Sequence, residues 1–555
     1  MSQHARNSTP GAASANRDAA HGAGARAHSA NRDAARAGAA SPDLNAARRA
    51  DDLAALRDGE PLDVLVVGGG VTGAGTALDA AARGLRVGLI ERRDFAWGTS
   101  RWSSKLVHGG LRYLAQGAFG IAMESARERD VLLRHTAPHL VHPVRQVIAL
   151  TPDVDRAAEL RTFVGVRLGD VLRRAAGTPA TDLPRARRVT ADDVLVLTPG
   201  VRRTGLRGGI VAWDAQLEDD ARLVVGLART AAAHGAHVAT RCAALEVTGE
   251  GARVQDELTG ETFDIRAKSV VTCTGVWASE LSPELKLRPS RGTHLVVDAA
   301  RIGSPQGIFS VPIPGMPNRF VFAIPQPSGL AYIGLTDEEA PGPVPDVPEA
   351  PESDIRFLLA TMSAALERPL GAEDILGTYA GLRPLADGGD DTGGQTSDLS
   401  RRHVVARTES GAVSVVGGKL TTYRRMAQDA VDAAIAAAGL PPRPCPTRRV
   451  PLVGAASRGS LAIIDAPRRV VDRHGAEAPR VLALADGDPS LLEPIAPGLD
   501  VLGVEVLHAV RAEGALDAAD VLDRRTRIGL VPADRERALP AVEALVRETR
   551  HPVAT

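Results

Sequence analysis

The chain has 555 residues, more than one hydrophobic core usually holds, and at roughly 150 residues per domain it has room for three or four units. A formal net charge of -1 excludes the basic footprint of a nucleic-acid-binding protein. Three cysteines, Cys242, Cys273 and Cys445, far apart in the chain, exclude a disulfide framework or a zinc site and read as buried thiols of a reducing compartment without catalytic duty.

Residues 1–60 are rich in Ala, Arg, Ser, Gly and Asn, lack aromatics and repeat "SANRDAA" at 14–20 and 29–35, so they read as a disordered tail. The interspersed aspartates argue against a transit peptide, and the N-terminus lacks the apolar core of a secretory signal. The folded body is expected from Pro61. Strand and helix patterns alternate to about residue 290, β-rich segments with Gly and Pro turns follow to about 370, and another strand and helix lie near 413–438. "LPPRPCPTRRVP", 440–451, reads as a linker into a helical C-terminal region. No apolar run spans a bilayer and no basic amphipathic helix stands out.

The first chemical motif is "LDVLVVGGGVTGAGTALDAAARGLRVGLIE", 62–91. An apolar strand ends in Gly68, and Gly68, Gly70 and Gly73 hold the G-x-G-x-x-G spacing into an Ala-rich helix. Glycines there keep Cβ atoms away from a pyrophosphate, while the helix N–H groups face its charge. Gly84 stops the helix, "RVGLI" makes a second strand, and Glu91 ends it about 20 residues on, placed to accept two ribose hydroxyls. A glutamate there disfavours NADP but does not separate FAD from NAD.

The second strand then runs into "RRDFAWGTSRWSSKLVHGGLRYL", where hydroxyls and glycines allow close backbone approach to a flavin ring. Arginine is the default cation, the only lysines being Lys105, Lys268, Lys286 and Lys419; Lys105 and Lys419 fall in the two densest motifs. From residue 61 onward the chain resembles the FAD-dependent, quinone-linked glycerol-3-phosphate dehydrogenases, within the D-amino-acid-oxidase-like flavoproteins. The resemblance rests on ordered motifs: "DVLVVGGGVTGAGTALDAAARGL", "SSKLVHGGLRYL", "DDARLVVGL", "CTGVWA", "RGTHLVV", "FAIPQPSGLAYIGLTDEE", "YAGLRPL", "GGKLTTYRRMA" and "AVRAEGALDAADVLDRRTR".

The resemblance implies an α/β fold: a Rossmann-like FAD-binding domain from segments of about 61–140, 205–290 and 375–440, an inserted antiparallel-β substrate domain from about 141–204 and 291–374, and a small helical domain over 441–555. It places non-covalent FAD on Gly68, Gly70, Gly73 and Glu91, with Ser103, Ser104, Lys105 and Leu106 near the flavin, Thr274 and Gly275 beside the cofactor, and Gly418, Lys419, Leu420 and Thr421 at the flavin's pyrimidine edge. A substrate phosphate needs several cationic donors, and alcohol oxidation needs a base near the hydroxyl. Arg112, Tyr113, Arg383 and Lys419 match as the substrate-binding set, and His294 with Arg319 as the catalytic pair. His108 stays open among turn support, flavin contact and covalent attachment. No metal is implied. The implied partners are glycerol 3-phosphate and membrane quinone, a homodimer is compatible, and the implied location is cytoplasmic, peripheral on the inner face of the plasma membrane. Two alternatives stand beside this reading: an oxidase of the same fold using oxygen, and a non-catalytic FAD-binding redox sensor.

Overall fold

The computed structural model describes residues 40–110, 113–114, 117–316, 319–386 and 403–550. Val64–Val67 carries apolar side chains at every position, leaving no polar face, and lies inside a six-stranded sheet. The order across the sheet is His403–Arg407, Val413–Gly417, Val270–Thr272, Val64–Val67, Val87–Glu91 and His237–Thr240, parallel throughout except for the antiparallel edge strand His403–Arg407. Side chains alternate along the central strand. Val64 and Val66 join the core with helices Val71–Ala82, Asp220–Ala233 and Tyr423–Ala437, while Leu65 and Val67 face the antiparallel meander Cys242–Thr248, Gly251–Asp256 and Thr262–Arg266.

A ten-stranded mixed sheet forms the second layer, its longest ladder pairing Leu287–Asp298 with Ile375–Ala386. Along Leu287–Asp298 the period of two separates functions: Leu295 and Val297 pack under helix Glu352–Ala365, whereas Val296, on the alternate side, meets Tyr332, Tyr379 and Leu530. His294 shares the side of Val296. The strands Leu106–Val107, Gly209–Leu217 and Ile375–Ala386 all belong to this sheet. Backbone pairing thus joins strands from the expected FAD-binding segments with strands from the expected substrate segments in one sheet. The C-terminal region is helical, with Gly503–Ala512 and Pro532–Arg550 around a core of Val506, Val510, Leu522 and Val542.

The tail also needs correction. Residues 1–39 lie outside the described residues, but Ala46–Asp58 is a helix, capped by the Asn45 side chain accepting from the Arg48 N–H. Its buried Leu56 packs beside Leu62 and Leu65, and its buried Asp52 accepts the Val238 N–H at 3.0 Å. Few apolar residues suffice there because Asp52, Arg48 and Arg49 dock by hydrogen bonds to the sheet edge and its neighbouring loops. Among the described residues no helix is long and apolar enough to cross a membrane.

Candidate active site

The carboxyl ends of Val64–Val67, Val270–Thr272 and Val413–Gly417 point to one edge of the parallel sheet, the edge where such folds bind ligands. Gly68 has φ +113°, and a Cβ on it would come within 2.6 Å of the Cys273 carbonyl oxygen. Gly70, extended, caps helix Val71–Ala82, whose Val71 N–H donates to Ser100 Oγ at 2.9 Å. At the next strand end Glu91 accepts the Gly69 N–H at 2.5 Å and the Arg93 N–H at 2.7 Å. Burial raises the proton affinity of Glu91, and those two N–H groups oppose the shift.

From this edge a cavity of about 1200 Å³ runs between the two sheets. That is larger than the roughly 300–1000 Å³ of a drug-sized pocket, as a dinucleotide plus a second small molecule requires. Its walls include Gly68, Gly70, Glu91, Ser103, Ser104, Leu106, Thr274 and Gly275, and also Gly418, Lys419, Leu420 and Thr421. His108, Tyr113, His294, Arg319 and Arg383 line the same cavity. The structure thus brings nearly all the expected side chains around one space. Arg112 lies outside the described residues.

Two expectations change. Gly73 does not line the cavity; a Cβ on it would sit 1.8 Å from the Gly68 carbonyl oxygen, so its part is the close packing of helix against turn. Lys105 also turns away from the cavity. Its ammonium is buried, donating to the carbonyl oxygens of Arg101 and Ser103 at 2.9 Å each and to Asp220 at 3.0 Å. Burial first, and the charge of Arg527 second, pull its pKa down to about 8. Three acceptors meet three ammonium hydrogens, which accounts for a lysine at this turn.

The large sheet supplies the second half of the site. His294 Nε2 is hydrogen-bonded to Ser104 Oγ at 2.8 Å, and the ring stacks on Tyr379 with centroids 4.6 Å apart and planes 9° apart. Nδ1 is buried and has no hydrogen-bond partner among the described residues. Burial drives the histidine's proton affinity well below its ordinary 6.5, with the charges of Lys105 and Arg383 adding to the shift, so the ring is neutral at pH 7.

The cationic residues are not equivalent. Arg383 is paired with Asp337 at 3.1 Å and donates to Ser290 Oγ, so much of its charge is already balanced. The Lys419 ammonium donates to Ser125 Oγ at 2.7 Å and lies 4.0 Å above the Tyr113 ring. Arg319 forms no ion pair among the described carboxylates and faces the same cavity.

Several residues escaped the sequence reading. Trp97, Gly98, Trp102 and Trp277 line the cofactor end, and a Cβ on Gly98 would strike the Trp277 ring at 2.7 Å. Asp214 accepts the Gly109 N–H and the Arg129 guanidinium, pinning the glycine pair before Tyr113. Tyr379 opens the "YAGLRPL" motif, which pointed only to Arg383. An aromatic in that motif was the one available signal for a stacking partner of His294. Cys242 and Cys273 are buried, burial pushing both thiols up to about 12, so neither is a nucleophile at neutral pH.

Comparison with known proteins agrees with this geometry. Residues 63–469 match the model of the FAD-dependent oxidoreductases, and residues 445–551 match that of the C-terminal domain of alpha-glycerophosphate oxidase. The chain is 53% identical over 505 residues to glycerol-3-phosphate dehydrogenase 1 of Mycobacterium tuberculosis, covering 90% of this chain and 97% of that protein. It is 34% identical to the mitochondrial glycerol-3-phosphate dehydrogenase of Arabidopsis thaliana, over 89% of this chain and 84% of that one. The crystal structure of the Bacillus halodurans glycerol-3-phosphate dehydrogenase complexed with FAD superposes with a TM-score of 0.69 at 26% identity, covering 91% and 94% of the two chains.

Proposed function

The chain belongs to the FAD-dependent oxidoreductase family, with the alpha-glycerophosphate oxidase type of C-terminal domain, and on that premise we propose that it oxidises sn-glycerol 3-phosphate to dihydroxyacetone phosphate and delivers the electrons to membrane quinone. The observation that carries the reading is one continuous cavity lined by the glycine cradle at one end and by His294, Arg319 and Lys419 at the other. The cradle fits FAD: Cβ atoms at Gly68 and Gly98 would collide with the chain, and a half-buried carboxylate ends the second strand.

Bound there, FAD supplies the two-electron acceptor for the hydride of the carbinol carbon. The rest falls to the protein. Lys419 and Arg319 hold the phosphate, as charge-assisted donors lining the cavity. Tyr113 lies beneath the Lys419 ammonium and limits where that charge can go. Arg383, balanced by Asp337, shapes the pocket more than it binds the dianion. His294, neutral and stacked on Tyr379, takes the hydroxyl proton as the carbon gives up its hydride. Ser104 Oγ, which lines the same cavity, holds the ring through Nε2.

Quinone is favoured over oxygen by the cavity rim. Helix Arg156–Ala175 exposes Leu160, Val164, Leu168 and Val171, spaced four, four and three residues apart along one face, at 56%, 49%, 47% and 64% of full exposure. Exposed Arg161, Arg167 and Arg174 flank that stripe, and Leu160, Val164 and Leu168 also line the cavity. A basic amphipathic helix at the mouth of the site suits an acceptor dissolved in an anionic bilayer, and it is the helix that sequence patterning passed over. The protein would rest there peripherally, on the inner face of the plasma membrane.

Arg319→Ala tests the substrate assignment. The lost contact, about 1.5–3 kcal/mol for a hydrogen bond to a charged group, lowers kcat/KM for glycerol 3-phosphate roughly 10- to 150-fold while FAD content stays whole. Wild-type kinetics in the flavin-loaded variant would remove Arg319 from the site. The acceptor is tested separately: turnover with a ubiquinone or menaquinone analogue should greatly exceed oxygen consumption, and the reverse ranking would establish an oxidase.

A further inference from the structure

Two motifs remain unused by the reaction just described, "DDARLVVGL" beside the parallel sheet and "DRRTR" in the C-terminal region, and in the fold they meet. Asp219 caps helix Asp220–Ala233, accepting the N–H groups of Ala221 and Arg222. Asp220, fully buried, accepts the Ser103 N–H at 3.0 Å, the Ser103 hydroxyl at 2.6 Å and the Lys105 ammonium at 3.0 Å. Arg527 reaches in from the C-terminal region to pair with Asp220 and, at 3.4 Å, with Asp219.

Two acids and two bases close this knot with no net charge, away from the cavity. Its output is geometric. Lys105 sits at φ +57°, a conformation that a non-glycine residue keeps only when its surroundings hold it. The turn so held presents Ser104 Oγ to His294 Nε2, and Tyr379, stacked on His294, donates its hydroxyl to the Ser103 carbonyl oxygen. Both contacts that orient the histidine ring thus end on the same turn.

We propose that Lys105, Asp220 and Arg527 are positioning residues for alcohol oxidation: through them the C-terminal region fixes the Ser103–Lys105 turn, and the turn fixes the orientation of His294. The inference rests on His294 as the proton acceptor.

The test uses the full-length holoenzyme and anaerobic flavin reduction by saturating glycerol 3-phosphate across pH. The charged groups facing His294 are Lys105 from the turn, Arg383 from the paired strand and Asp220 from the helix, with Tyr379 neutral against its ring. Substrate phosphate titrates alike in every variant, so only differences between variants count. Lys105→Met and Asp220→Asn should both retain FAD and slow reduction roughly ten- to a hundredfold, the scale of a misplacement of about 1 Å. Their acid limbs should move in opposite directions, upward when the repelling ammonium is lost and downward when the attracting carboxylate is lost. Purely structural damage would move both alike. Arg527→Lys, which keeps a cation on Asp220, should recover most of the rate lost in Arg527→Met. Ser104→Ala removes one hydroxyl and no fold-bearing contact; it should show the slowed reduction with an unchanged melting temperature, so the inference is tested even if the knot variants do not fold. Wild-type rates and acid limb in Ser104→Ala would overturn it. His294→Gln separates the two levels: a wild-type reduction rate there refutes the role of His294 itself, whereas a large loss there with wild-type rates in the other variants refutes only the positioning knot.

Discussion

Asp52 offers a quantitative check on the docking of helix Ala46–Asp58. Its carboxylate is 3% exposed and accepts from the Val238 N–H at 3.0 Å, from Arg48 Nε at 2.9 Å and from His237 Nδ1 at 2.9 Å. In Asp52→Ala the buried Val238 N–H loses a charged acceptor, a loss of about 1.5–3 kcal/mol. The Arg48 and His237 side chains are 22% and 37% exposed, so each adds only about 0.5 kcal/mol after solvent screening. The sum, about 3 kcal/mol, falls on a local unit, because the helix joins the body by one face. The fitting assay is native-state hydrogen exchange resolved by peptide mass spectrometry. Amides of residues 50–58 and of Val238 should exchange roughly a hundredfold faster in Asp52→Ala, since 1.4 kcal/mol is a factor of ten. Asp52→Asn, which keeps one carbonyl oxygen, should fall between. Exchange within threefold of wild type in Asp52→Ala would show that the helix is held by something other than this carboxylate.

Three further outcomes follow from the same geometry. Gly70→Leu should yield folded protein without bound flavin, because even a Cβ lies 3.2 Å from Ser100 Oγ and the larger side chain enters the cofactor's space; a 450 nm spectrum of normal intensity would contradict this. Replacing Val171, which is on the exposed stripe but does not line the cavity, by Glu should weaken flotation with anionic vesicles while leaving dye-linked turnover intact, since about 1.5–3 kcal/mol of side-chain burial is lost and charge repulsion is added; unchanged flotation would move the membrane surface elsewhere. Acid should loosen the C-terminal region: His474 and His508 are buried where it meets the sheet domain, Arg222 donates to His474 Nδ1 at 3.1 Å, and burial lowers both proton affinities below 6.5. Their folded pKa values are depressed, so the opened form binds the additional protons, and docking is fully present above about pH 6.5 and weakens as pH falls below it. Faster proteolytic nicking at pH 5.5 than at pH 7.5 is the expected readout, and equal rates would clear these histidines of any part in it.

What the amino-acid order determined by itself was the chemistry that needs only local geometry. Glycines at 68, 70 and 73 specify a turn through positive φ and missing Cβ atoms, and a glutamate ending the next strand follows from strand length, so the cofactor cradle was legible without coordinates. The matched motifs likewise placed His294, Arg319 and Lys419 in one site, and they line one cavity. Tertiary structure decided what each charge does, because partners lie far away in the chain. Lys105 turns from the cavity because Asp220 and two carbonyls surround its ammonium, and Arg383 is balanced by Asp337 across the sheet. Residues 46–58, with few apolar side chains, fold because Asp52 finds Val238, 186 positions away, and Leu56 finds the sheet. The apolar stripe on Arg156–Ala175, which did not stand out in the sequence, is left uncovered at the cavity rim by the fold. Side-chain type sets what a residue is able to do. The direction it points, and the charge it meets there, come only from long-range packing.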